Sequence, residues 1–212
     1  MPHAALDYAG VTTSAGSPDA RISFNGFYAN DFKFDRIGGI PNNKTDFISV
    51  AEHEIGHALG FVSGVDDADF CMNTKGPNFC GLNGKFGLED YVVYSPLDMF
   101  RYSSKGVLDM TVGTKSYFSV DGGATSIENF STGAYNGDGW QASHFGPDAV
   151  NLMRPFIGNG DSYDATARDL AAFDAIGWDV QTPVPEPETY ALMLAGLGAI
   201  GFVSRRRKVA NA

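Results

Sequence analysis

The chain has 212 residues, 43% of them hydrophobic, and a formal net charge of −10. That length suffices for one ordinary domain with its own core, with room for two lobes around a cleft. With only 15 Lys and Arg it lacks the basic footprint a polyanion requires, which excludes nucleic acid as a partner, and its 26 glycines and 13% aromatic content suggest a loop-rich, extracellular style of protein rather than a helical bundle.

Met1 to Gly10 has neither the basic start nor the apolar run of a signal peptide. In residues 20–28, Ile22 and Phe24 alternate with polar neighbours and predict a strand. Residues 35–45 are turn-rich. A helix is predicted from Asp46 to Leu59, capped by Thr45 or Asp46 and stopped by Gly60. At 100° per residue Phe47, Ala51, Ile55, Ala58 and Leu59 share one face, the expected core face. His53 and His57 fall roughly opposite, with Glu54 at the edge between.

His53-Glu54-Ile55-Gly56-His57 carries the clearest chemistry. Histidines four apart on a helix project the same way, one turn apart, and can each put one nitrogen on a Zn²⁺. Glu54 is turned off that axis, where a carboxylate can act as general base toward a metal-activated water. A catalytic zinc needs a third protein ligand. His3 and His144 are the two remaining histidines. Carboxylates are the other source: Asp66, Asp67 and Asp69 form a cluster that reads most simply as a solvated loop, since it lacks EF-hand order. Asp169 and Asp174 lie near the C-terminal end of the domain.

Between residues 61 and 142 the pattern is of short strands and turns, including Tyr91–Tyr94, Tyr117–Val120 and glycine turns at Asp121-Gly122-Gly123 and Asn136–Gly139. Cys71 and Cys80 are either a disulfide closing a short loop or two free thiols; an exported chain favours the disulfide. A last helix is predicted from Thr166 to Ile176. Thr166-x-x-Asp169 forms its capping box, Gly177 stops it, and Leu170, Phe173, Ile176 and Trp178 face the core.

The tail changes character. Val184-Pro185-Glu186-Pro187 is followed by an uncharged stretch from Thr189 to Ser204 and then by Arg205-Arg206-Arg207-Lys208. This order resembles the PEP-CTERM sorting tail of Gram-negative bacteria. The resemblance implies export, transient anchoring in the inner membrane through 189–204 with the basic cluster on the cytoplasmic side, and processing by an exosortase-type enzyme before arrival at the cell surface or extracellular matrix. Residues 183–212 are therefore separated from a catalytic domain over 1–182. An exported chain should also carry a leader, so the sequence reads as beginning inside a longer protein or from a misassigned start.

The run His53-Glu54-x-x-His57-Ala58-Leu59-Gly60-Phe61 resembles leishmanolysin-type metzincins, a family of zinc peptidases. In the compact metzincin pattern position 63 would be histidine, but here it is serine. The leishmanolysin-type pattern instead has a long insertion, then a histidine with an aromatic residue, then Leu-Met-x-Pro. This sequence supplies His144-Phe145 and Leu152-Met153-Arg154-Pro155 in that order. It is similar also to bacterial metallopeptidases with PEP-CTERM tails. The resemblance implies His144 as third ligand and Met153 as the Met-turn residue beneath the metal, although Met153 alone would read as a core methionine. With Pro155 two positions later, no additional tyrosine ligand is expected. The implied fold is α+β: an active-site helix, a partial and N-terminally truncated β-sheet lobe, a loop- and strand-rich insertion, and a C-terminal helix. The implied function is a zinc-dependent endopeptidase acting on protein or peptide substrates. Two other readings stand beside it. One is a catalytically silent matrix or adhesion module on a metallopeptidase-like fold, which would have no need of Glu54. The other is a zinc amidase or related hydrolase.

Overall fold

Helix α1 spans Phe47–Ala58, within a residue of its predicted ends. The Asp46 carboxylate caps it by accepting the N–H groups of Ile48 (3.3 Å) and Ser49 (3.2 Å), donors that no helical carbonyl can reach. Leu59 closes the helix, and Gly60 turns the chain away at φ +106°, a conformation that disfavours any side chain. The computed structural model that shows this describes residues 18, 20–72, 94–180, 195 and 197. The chain divides into two compact units, Met1–Asp179 and Val180–Ala212. In the second, Ala195 and Leu197 are helical.

The burial of α1 corrects the expected core face. Ser49, His53 and Gly56 are buried, whereas Ile55 is 46% exposed. Periodicity separates two faces of a helix; it does not say which one the rest of the chain covers. Here the histidine side is covered. Met153 and Phe173 press so closely on Gly56 that a Cβ there would lie 2.5 Å from Met153 Sδ and 3.2 Å from Phe173 Cζ. Any larger residue must displace fully buried Met153. Phe47 instead joins a separate aromatic group, with the rings of Phe24, Phe32 and Phe34 centred 4.8, 5.4 and 4.8 Å away.

The predicted strand over 20–28 is also corrected. Residues 20–25 belong to no sheet, and Gly26–Asp31 forms a 3-10 turn capped by Asn25, whose side chain accepts the N–H of Phe27 at 2.9 Å. A side-chain acceptor competing for backbone donors in this way favours a turn over a ladder. Strands β1 (Phe32–Lys33) and β2 (Thr45–Asp46) then pair in parallel. Arg36 ties this region to the far end of the domain: Nε donates to Asp46 (2.7 Å), and Nη2 to Ser49 Oγ and the Tyr163 carbonyl (both 3.1 Å).

Helix α2 (Val65–Met72) occupies the place read as a solvated loop. Four short strands follow in one antiparallel sheet: β3 (Arg101–Ser104), β4 (Val107–Leu108), β5 (Tyr117–Phe118) and β6 (Glu128–Asn129), in spatial order β4-β3-β5-β6. Only the first half of the predicted strand 117–120 is ladder. Residues 91–93 of the other predicted strand lie outside the described residues. Cys71 is buried at the end of α2, and no free cysteine occurs among the described residues; Cys80 lies outside them, so the Cys71–Cys80 pairing stays an expectation.

With ladders this short, the core is held by aromatic packing. Phe61, Phe118 and Phe145 are fully buried, with ring centroids 5.0 Å (Phe61–Phe145) and 6.1 Å (Phe118–Phe145) apart. Each contributes roughly 1.5–3 kcal/mol by burial. Helix α3 (Ala167–Ala175) starts at the predicted capping box of Thr166 and Asp169. It buries Ala172 and Phe173, but Leu170, expected in the core, is 39% exposed. Trp178 returns to α1 and donates its indole N–H to the Leu59 carbonyl at 2.7 Å.

Candidate metal centre

Three imidazoles meet between α1 and the segment after β6. His53 Nε2 and His57 Nε2 are 3.1 Å apart, His57 and His144 Nε2 3.1 Å, and His144 and His53 Nε2 3.3 Å. The other nitrogen of each ring is engaged by a backbone carbonyl: Leu152 for His53 (2.9 Å), Phe61 for His57 (2.7 Å) and Gln141 for His144 (3.2 Å). A carbonyl can only accept, so each Nδ1 carries the proton, and in a neutral ring Nε2 is then a bare acceptor. Three lone pairs therefore point at one another with no proton between them. A cation satisfies that arrangement, and the fixed tautomers are those that ligating histidines adopt. The separations approach the roughly 3.3–3.4 Å expected between tetrahedral nitrogens about 2.0–2.1 Å from one zinc. His53, His57 and His144 are the group of residues that can hold a metal ion among the described residues.

Burial favours the neutral ring at His57 and His144. It lowers the pKa of His57, with the His53 charge adding to the effect against hydrogen bonding from Phe61 and the charge of Glu54. Burial, followed by the charges of His57 and His53, pushes His144 down to about 3. At neutral pH such rings are ready ligands.

The architecture beneath the site is polar and specific. Asp169, fully buried, accepts the N–H groups of Leu152 (3.2 Å) and Met153 (3.0 Å) while also capping α3. It thus fixes the carbonyl that orients His53 and the methionine that lies against Gly56. Phe145 N–H donates to the Met153 carbonyl at 2.9 Å, joining the His144 segment to the same turn. Asp66 holds the residues just before His144, accepting the N–H groups of Ala142 (2.5 Å) and Ser143 (2.9 Å) and the Ser143 hydroxyl. Burial raises the pKa of Asp66 against these hydrogen bonds. Ser63 takes no place at the imidazoles: its hydroxyl donates to buried Asp98, and its N–H donates to Ser143 Oγ at 2.9 Å. Arg101, 1% exposed, donates to the carbonyls of Ala142 (3.3 Å) and Ser131 (2.6 Å). Burial lowers its pKa to about 10, but it stays charged.

Three of the five acids weighed as alternative ligands have other work, and Asp67, like Asp174, is exposed. Asp66 is a clamp, and Asp69 accepts the N–H groups of Tyr135 (2.8 Å) and Asn136 (2.9 Å). Asp169 is a cap and clamp, and Asp174 is exposed. His3 lies outside the described residues. The roles of Asp66, Asp98 and Arg101 escaped the sequence reading. For Asp98 a signal was present: Ser95-Pro-Leu-Asp98 is a capping box, and Asp98 accepts the Ser95 N–H at 2.8 Å.

Glu54 is half-buried and, with His57, lines a cleft of about 380 Å³. The segment Ala20–Phe24, with Val50 and Ala58, completes the lining. A carboxylate and an imidazole thus line one cleft.

Comparison with known proteins bears on the tail. Residues 183–208 match the family model of the PEP-CTERM protein-sorting motif. The motif marks an exported chain recognised by an exosortase-type sorting enzyme. No curated protein and no solved structure matches the chain. Among the described residues no helix is long and apolar enough to cross a membrane.

Proposed function

We propose that this protein is an exported zinc-dependent endopeptidase of metzincin type, with His53, His57 and His144 as ligands and Glu54 as general base. The observation that carries the reading is the convergence of three bare Nε2 atoms, with the other nitrogen of each ring held by a carbonyl, beside a cleft lined by a carboxylate. When bound, zinc supplies Lewis acidity, polarising a scissile carbonyl and making a water acidic enough to deprotonate near pH 7. The chain's own residues do the rest. Leu152, Phe61 and Gln141 hold the rings in the ligating tautomer. Glu54 accepts the proton of the attacking water and returns it to the leaving amine. Met153 forms the apolar floor under α1, the place of a Met-turn residue. The tail supports export; transient anchoring through 189–204 and release at the cell surface or matrix belong to this proposal.

Zinc content measured alongside casein cleavage tests it. The expected result is one zinc per chain and cleavage that stops on chelation and returns with added zinc. Bound zinc without cleavage of casein or of a peptide library would favour a silent adhesion module. Cleavage indifferent to chelation would remove the metal from the reaction.

A further inference from the structure

The cleft beside α1 holds two charged side chains, Glu54 and Arg21. Glu54 has a role in the proposed chemistry; Arg21 has none. Arg21 is exposed, and among the described residues no carboxylate or carbonyl engages it. It sits in the stretch 20–25 that belongs to no sheet, and the cleft-lining residues around it, Ala20, Ile22, Ser23 and Phe24, are uncharged. We infer that Arg21 is a specificity-determining residue of this cleft, selecting peptides with an Asp or Glu side chain close to the scissile bond. The inference rests on the endopeptidase reading and deepens it.

The chemistry is that of a guanidinium fork, whose paired N–H donors match a carboxylate. The long-range field opposes it. Val180–Ala212 carries four bases and two acids, so the rest of the chain carries −12 of the total −10. At physiological ionic strength charges beyond about 8 Å are largely screened. A cation lining the same cleft as the general base then decides the local preference. Because the pair would be solvent-exposed, the selectivity is modest, about two- to fivefold.

The test uses zinc-loaded full chain and matched fluorogenic peptides carrying Glu or Lys at each of three positions on either side of the scissile bond. At one position, kcat/KM is expected to favour Glu by about two- to fivefold, Arg21→Glu to reverse the order, and Arg21→Lys to keep part of it. Binding of the same peptides to zinc-loaded Glu54→Gln, read by fluorescence anisotropy, should show the same order without turnover. Equal kcat/KM for the Glu and Lys peptides at every position, or an unchanged ratio in Arg21→Glu, would overturn the inference. A binding preference without cleavage by the parent protein would leave Arg21 as a recognition residue while the peptidase reading falls. Neither binding nor cleavage would overturn both.

Discussion

His144→Ala is expected to lower zinc affinity by about a thousandfold or more. A protein-held zinc is worth about 10–16 kcal/mol in all, so one ligand of three carries several kcal/mol. Losing a hydrogen-bond partner outside the metal's own ligands already costs about 10–100-fold. The fold should largely survive, because the segment carrying His144 is held by independent bonds. Phe145 N–H reaches the Met153 carbonyl, Ser131 N–H reaches the His144 carbonyl at 3.0 Å, and Asp66 clamps Ala142 and Ser143. Zinc affinity by competition with a chromophoric chelator, read beside circular dichroism, separates the outcomes. Unchanged affinity in a folded variant would take His144 out of the site.

Glu54→Gln is expected to keep the metal and to lose turnover by about 10²–10⁴-fold, the usual worth of a general base. Glutamine fills the same space and can still hydrogen-bond a water, but its amide cannot accept the proton. Glu54 lies beside the three converging nitrogens rather than among them, so affinity should change little. Parent-level kcat with zinc bound would show that another group takes the proton.

What the sequence made legible follows the range of each interaction. Cap, helix and stop around α1 depend on neighbours within a few residues, so Asp46 and Gly60 could be read directly. The same holds for Thr166 and Asp169 at α3. His53 and His57 share a turn of helix, and their spacing alone places both rings together. His144 is 87 positions from His57, and no spacing argument reaches it; the expectation came from resemblance to a family pattern. The inward side of α1 was misjudged because its apolar residues suggested a core, whereas the packed side is the one bearing Ser49, His53 and Gly56. Residues 20–28 alternate as a strand does, yet pairing needs a partner that local pattern cannot supply. Asp66 and Asp69 look solvated in sequence, since the backbone donors they engage lie 66 to 77 positions away.

The central claim is that these three imidazoles hold one zinc. Zinc K-edge absorption on protein loaded with one equivalent reads the ligand set directly. The expected spectrum is three nitrogens and one oxygen at about 2.0–2.1 Å, with imidazole multiple scattering from three rings. A sulfur shell near about 2.3 Å, or scattering from only two imidazoles, would contradict it.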